Sequence, residues 1–381
     1  MGNREWIKLS LFLITGFMAW AQSDPGRPLR TVQLHSVQQE SPLPTANHQQ
    51  PANYQLLTAS ALEQALTQQY IAQYTSPSGI AWLNATLVRG SLYLPFIKKE
   101  IAARKLPPEL AYLPIIESGF VSTARSRSGA VGLWQFMLNS ISPFNIKVND
   151  YMDERRDFQK STWGALQKLN DNYKTLGDWP LALAAYNAGL GAVTRTVQRT
   201  KVNNYWELCK RKELRPETIN YVPKLLAVAY VLSQPRRFGI EWPEAFEWIA
   251  IPLERQVSLE ILAAEADVSP ELLKALNSEL LQGISPVDKN YRLKVPAAQL
   301  AQINVVLDRE DLKLIYYHRH VIKHGDTLWA LSRHYGVHLD TITQHNPDIN
   351  SSLLKIGDTV IIPASGQIQP LPPAAQVNIS R

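Results

Sequence analysis

Cysteine is nearly absent: Cys209 is the only one in 381 residues. No disulfide can form within the chain, and no cysteine cluster can hold a metal. Charge is also sparse, with Asp, Glu, Lys and Arg at 19%, and the net charge of +6 is not gathered into a basic run. Such an excess suits an acidic polymer or a membrane surface, and it suits plain solubility equally well. Long apolar runs are missing too. The twelve residues from Leu9 to Trp20 are too short to span a bilayer comfortably. With Arg4 and Lys8 before them and Ala19-Trp20-Ala21 after, residues 1–21 read as an export signal cleaved after Ala21. An uncleaved anchor is the alternative. No cysteine lies near this point, so lipid attachment there is excluded. The expected location is the periplasm or cell envelope.

Strand-type alternation is scarce up to about residue 240, and helical spacing dominates. Residues 22–52, rich in Gln, Pro, Ser and His, read as a flexible leader. Residues 53–240 read as a mainly α domain with an N-terminal helical extension and a core at 93–240. Helices are expected at Leu92 to Arg104, Glu109 to Glu117, 161–176, 180–188 and about 217–233. Further on, Val257 to Asn277 repeats as Asp326 to Asn346 at an offset of 69, and each copy closes on a short strand and proline. Two helices between strands make small α+β modules, βααβ, at 254–297 and 319–363. Residues 364–381 read as a disordered tail.

Glu117 closes the apolar run Leu110 to Ile116. A carboxylate beside so much apolar surface is costly when ionised, so its pKa should rise toward the range of a general acid. Alone, a surface Glu near a helix end would be the better reading. Downstream lies Ser126 to Phe136, where Gly129 and Gly132 permit close backbone approach and Gln135 hydrogen-bonds both ways. Trp134 and Phe136 there offer flat faces for sugar rings. Ala185-Tyr186-Asn187-Ala188-Gly189 and Glu217-Thr218-Ile219-Asn220-Tyr221-Val222 follow.

In this order, Glu117-Ser118, Gly132-Leu133-Trp134-Gln135 with the Gln eighteen residues after the Glu, and the two later clusters resemble the family-1 lytic transglycosylases. The stretch from Tyr93 to Ile240 is most similar to the branch of membrane-bound lytic murein transglycosylase D. Leu106-Pro107-Pro108-Glu109-Leu110 and Tyr221-Val222-Pro223-Lys224 carry that likeness. Trp134 stands where many family members have Met, and the branch's common lipid-attachment cysteine is missing. The resemblance implies a goose-type lysozyme-like fold and Glu117 as sole catalytic acid/base. It implies Ser126 and Ser128 near the sugar's N-acetyl group, and Gln135, Tyr186 and Asn187 as the cleft's polar floor. Tyr221 would orient the carboxylate or the substrate. The implied reaction cuts peptidoglycan glycan strands after N-acetylmuramic acid, closing a 1,6-anhydro ring without water, cofactor or metal. Glycan strands are then the partner, not nucleic acid, and peripheral contact with a membrane stays open. Asp153, Glu154 and Asp157, set among arginines, read as structural ion pairs. A hydrolytic lysozyme or chitinase, and a non-catalytic wall-binding protein, are the rivals.

His320 to Trp329, with Asn346-Pro347 and Leu354 to Pro363, resembles a LysM module, which implies binding of N-acetylglucosamine-containing glycans through loop backbone groups. The implied loops are Gly325-Asp326-Thr327-Leu328 and Asn346-Pro347-Asp348-Ile349. The upstream copy lacks the Gly-Asp-Thr start and reads as a degenerate LysM-like module. His334 and His338, at i, i+4, could share a metal, but solvated helix histidines are the preferred reading.

Overall fold

The computed structural model describes residues 56–364 apart from 150, 151, 287, 289, 336, 338, 348 and 351–353. The expected signal, leader and tail beyond Ala364 lie outside the described residues, as do His338 and Asp348.

From Ala59 to Phe238 the named elements of the described chain are all helices, broken by a long loop region between Ser118 and Phe158. Two of the site's helices begin where an aspartate satisfies free N–H groups of the first turn. Asp157 Oδ1 accepts from the amides of Gln159 and Lys160 at 2.8 and 3.1 Å, opening Phe158–Leu176. Asp178 Oδ2 accepts from Leu181 N at 2.9 Å, opening Trp179–Ala188. Pro216–Ser233 starts on its proline and buries Thr218, Tyr221, Val222 and Leu225. One expectation fails. Glu109 to Glu117 is not a single helix but a 3₁₀ turn, Pro108–Tyr112, followed by a short helix, Leu113–Ser118. Pro114 has no N–H to donate back one turn, so the ladder breaks and restarts with the proline in its first turn.

The C-terminal third forms two two-stranded antiparallel sheets. β1, Trp248–Pro252, pairs with β2, Arg292–Pro296; β3, Tyr316–Val321, pairs with β4, Thr359–Ala364. Each pair brackets two short helices, Leu259–Glu265 with Pro270–Leu276, and Leu328–Tyr335 with Leu339–Gln344. The first strand of each module starts before the expected boundary, at Trp248 and Tyr316. The repeat holds down to single hydrogen bonds. Asn277 Nδ2 donates to Leu273 O and Lys294 O, and Asn346 Nδ2 donates to Ile342 O and Ile361 O. In both copies the amide of the strand residue, Lys294 or Ile361, donates back to the same asparagine. A buried Asn thus locks helix to strand in each module.

The two modules differ in attachment. Residues 320–363 keep an apolar core of their own around Leu328, Leu331, Ile342 and Val360. The first module is riveted to the helical domain. Trp248 packs on Phe96 and Phe158, and Leu276 joins the domain core. Asp153 N donates to Glu279 O at 2.9 Å, and Ser278 Oγ to Arg156 O at 3.0 Å. At the centre of this seam Lys294 Nζ reaches Asp157 Oδ2 at 2.8 Å and Glu279 Oε1 at 2.7 Å, with all three side chains buried. Burial works against the Lys294 charge, yet Asp157 and Glu279 outweigh it and hold its pKa above the ordinary lysine value.

Candidate active site

Four segments far apart in sequence meet around Glu117. The Leu113–Ser118 helix ends there because Gly119 takes a left-handed conformation at φ 58°. The Tyr221 hydroxyl donates to Glu117 Oε1. Tyr186, on Trp179–Ala188, lies close enough for the Glu117 charge to raise its pKa further, above the rise that burial causes. Lys168, from the middle of Phe158–Leu176, completes the ring. Its ammonium sits 4.4 Å from the Tyr186 ring centroid and 3.4 Å from Tyr186 O.

Burial pushes the Glu117 carboxyl up to about 7. The Tyr221 hydrogen bond and the Lys168 charge pull it down, while Glu217 pushes it up. Desolvation wins, as it does when a carboxyl faces mostly apolar walls. Burial lowers the Lys168 pKa, with Glu117 opposing. A carboxyl that titrates near neutrality can both give and take a proton.

The Ala130 to Phe136 loop is clamped from both sides of Glu117. Ser118 Oγ donates to Leu133 O at 3.0 Å, and Tyr186 Oη to Trp134 O at 2.8 Å. Gly132, at φ +87°, is required there: a Cβ would stand 2.0 Å from Arg155 O. Gln135 Nε2 donates to Gly132 O at 2.9 Å and to Ala124 O at 3.3 Å, so it braces the loop. Ser126 Oγ accepts from Ala130 N and pairs with Ser128 Oγ, each at 3.0 Å, forming the neighbouring tight turn. Asn187 links Glu217 and Thr218, donating to the first at 3.2 Å and accepting from the second at 2.8 Å.

The expected aromatic platform is overturned. Trp134 and Phe136 are 0% and 1% exposed, and Trp134 Nε1 donates to Thr162 Oγ1 inside the core. They carry the loop from below and offer no face to a sugar. The acidic segment makes ion pairs: Asp153 with Arg155, Glu154 with Lys160, and Asp157 with Lys294.

In the last module Asp326 Oδ2 meets His320 Nε2 at 2.7 Å and accepts from Lys323 N at 2.8 Å, while Thr327 Oγ1 caps the helix by accepting from Ala330 N. Leu328 is buried, and Asn346 is spent on β4. These side chains shape the loops at Gly325 and Pro347. Beside them Trp329 is 65% exposed, which marks a ring that the loop pattern alone does not single out. Among the described residues, no group of three or more His, Cys, Asp and Glu side chains is gathered as a metal site. None of their helices is long and apolar enough to cross a membrane.

Comparison with known proteins gives three family matches. Residues 95–209 match the transglycosylase SLT domain, 247–311 the LysM-like domain of the lytic transglycosylase MltD, and 320–363 the LysM domain. The membrane-bound lytic murein transglycosylase D of Escherichia coli strain K12 is 31% identical over 315 residues, covering 76% of this chain and 68% of that protein. Its counterpart in E. coli O6:H1 gives the same figures. Among solved structures, an inactive variant of the lytic transglycosylase Slt from Pseudomonas aeruginosa is 25% identical, with a TM-score of 0.31, covering 40% of this chain and 26% of that one.

Proposed function

The chain belongs to the membrane-bound lytic murein transglycosylase D family, and on that premise we propose that Glu117 alone serves as acid and base in cutting the MurNAc-β-1,4-GlcNAc bond. The class, a lytic transglycosylase acting on peptidoglycan, follows from the SLT domain and the relatives. The observation that carries the single-carboxylate reading is the state of Glu117: a carboxyl raised to about 7 by burial, with Tyr221 donating to Oε1.

In the proposed cycle neutral Glu117 protonates the bridging oxygen, and the C1–O bond breaks. The neighbouring N-acetyl carbonyl of the sugar stabilises the positive centre at C1. Glu117, now a carboxylate, takes the proton of the same sugar's C6 hydroxyl as O6 bonds to C1. The product ends in 1,6-anhydro-N-acetylmuramic acid, the acid is restored, and no water enters. Tyr221 fixes Oε1 and leaves Oε2 for the reacting oxygens. Tyr186, Asn187, Ser126, Ser128 and Gln135 are assigned to the cleft: Tyr186 and Gln135 hold its loop, Ser126 and Ser128 line it near the N-acetyl group, and Asn187 holds Glu217 at its rim. Catalysis is assigned to residues 53–240, and retention on the polymer to the loops of 319–363 at Gly325 to Leu328 and Asn346 to Ile349. The work is placed in the periplasm or cell envelope.

Turnover of purified glycan strands tests the assignment. Glu117→Gln keeps shape but cannot cycle a proton, and general acid–base help is typically worth about 10²–10⁴-fold. Near-complete loss is expected there. Glu217→Gln and Asp153→Asn should keep turnover within about tenfold if folded, since Glu217 is exposed and the Asp153 carboxylate is held by Arg155. A dead but folded Glu217→Gln beside an active Glu117→Gln would move the acid elsewhere and favour a two-carboxylate hydrolase.

A further inference from the structure

Three rings cross the N-terminal helical pair, Ala65–Tyr74 and Pro77–Gly90, and link the segments that carry Tyr221 and Glu117. Tyr70 Oη donates to Asn220 Oδ1 at 3.0 Å, and Asn220 directly precedes Tyr221. Tyr70 and Tyr74 follow one helical turn apart, with ring centroids 6.4 Å from each other. Tyr74 stacks on Trp82 at 5.9 Å and 24°. At the far end, Trp82 Cζ2 lies 3.9 Å from where a Cβ on Gly119 would stand, two residues beyond Glu117. The row therefore runs from Asn220, the residue before Tyr221 in sequence, to Gly119, two residues beyond Glu117.

Its position is held. Arg89 Nε donates to Gly119 O at 2.8 Å, tying the Trp82 helix to the end of the Glu117 helix. The turn between the two helices is closed by Ser76 Oγ, which accepts from Gly79 N at 3.1 Å. It closes only because residue 79 has no side chain: a Cβ would stand 2.3 Å from Gln73 O. Tyr74 is 9% exposed, but the last ring is open, with Trp82 at 41%. In front of it lies a hollow of about 300 Å³, lined by Gln73, Tyr74, Ser76, Ser78, Gly79 and Trp82.

That lining holds no charged side chain. It pairs a flat apolar face with an amide and hydroxyls, which is the complement of a neutral pyranose: C–H groups on one side, hydroxyls at the edge. A carboxylate-bearing peptide would instead call for a cation. We propose that Trp82, backed by Tyr74, is a stacking subsite for a sugar ring of the strand whose neighbouring residue lies at Glu117. The N-terminal helical extension is then part of the substrate-binding surface. This rests on the glycan-cleaving reading above.

The test is the kinetics of the full chain on glycan strands of one and of several disaccharide units, with thermal melts alongside. An aromatic stack is worth about 0.5–1.5 kcal/mol beyond area burial, or up to about tenfold. Trp82→Ala should raise KM for long strands by about that factor, hold kcat, and leave the KM for the shortest strand in place; Trp82→Phe should recover most of the loss. Should Trp82→Ala fail to fold, Gln73→Ala, on an exposed helix surface, should give a smaller rise for long strands only. An unchanged long-strand KM, or equal loss for both lengths, would overturn the subsite. The mass of the released ends reports the reaction independently, so hydrolytic ends with an intact length effect would overturn the reaction and leave the subsite standing.

Discussion

The hydroxyl of Tyr221 donates to the carboxylate of Glu117 across 104 residues of sequence. The bond favours the ionised form of Glu117 and so works against the burial that raises its pKa. Tyr221→Phe should therefore let the Glu117 pKa climb. The acid must be protonated to begin, so the alkaline limb of kcat/KM falls near pH 7 in the parent and should move to higher pH in the variant. Turnover should drop about 10–100-fold, the worth of a hydrogen bond to a charged group. A pH–rate profile checks both, and an unmoved limb would contradict the arrangement.

The same burial costs stability. The Glu117 pKa is higher folded than unfolded, so folding is favoured most below pH 4.5, where both states carry the proton. That advantage is lost progressively as pH rises from there through about 7. Glu117→Gln removes the ionisable group. It should melt above the parent at pH 8, with the gap closing toward pH 5. Melting curves at the two pH values decide it; a gap that does not change with pH would show that the carboxyl is not desolvated.

Lys294 bridges Asp157 and Glu279 in the seam between domain and first module. Removing one partner of a buried pair typically costs about 3–5 kcal/mol, because the others stay buried and unpaired. Lys294→Met should lower the melting temperature sharply, and adding Glu279→Gln should restore part of it. A melt unchanged by Lys294→Met would mean that the seam is not coupled to folding.

Deleting 319–381 removes a module with its own apolar core. Binding to insoluble peptidoglycan should weaken, while cleavage of short soluble fragments stays largely intact. A co-sedimentation assay beside a turnover assay separates the two. Equal loss of both, with the fold intact, would put the module in the active site.

Much of this was legible in the sequence, for reasons that differ by residue. Glu117, Tyr186 and Tyr221 carry motif positions, and apolar neighbours announced the raised carboxyl. The capping aspartates Asp157 and Asp178 and the repeat around Asn277 and Asn346 are local or periodic signals. Lys168 was not legible: it sits mid-helix with no motif, and only tertiary packing brings it to Glu117. Trp134 reads from the sequence as an exposed platform because it sits in a glycine-bearing loop, whereas Thr162, twenty-eight residues on, offers its indole a partner in the core. Lys294 alternates with Leu293 and Val295 and so reads as outward-facing; the outward face of β2 is covered by the helical domain. Trp82 carries no local signal, because its position depends on Gly119, thirty-seven positions away.

The central claim, cleavage without water by Glu117, is tested most directly by mass analysis of the glycan ends released from purified peptidoglycan by residues 53–381. The account predicts fragments ending in 1,6-anhydro-N-acetylmuramic acid, resistant to borohydride reduction. Fragments one water heavier, with reducible ends, would contradict it and make the enzyme a hydrolase.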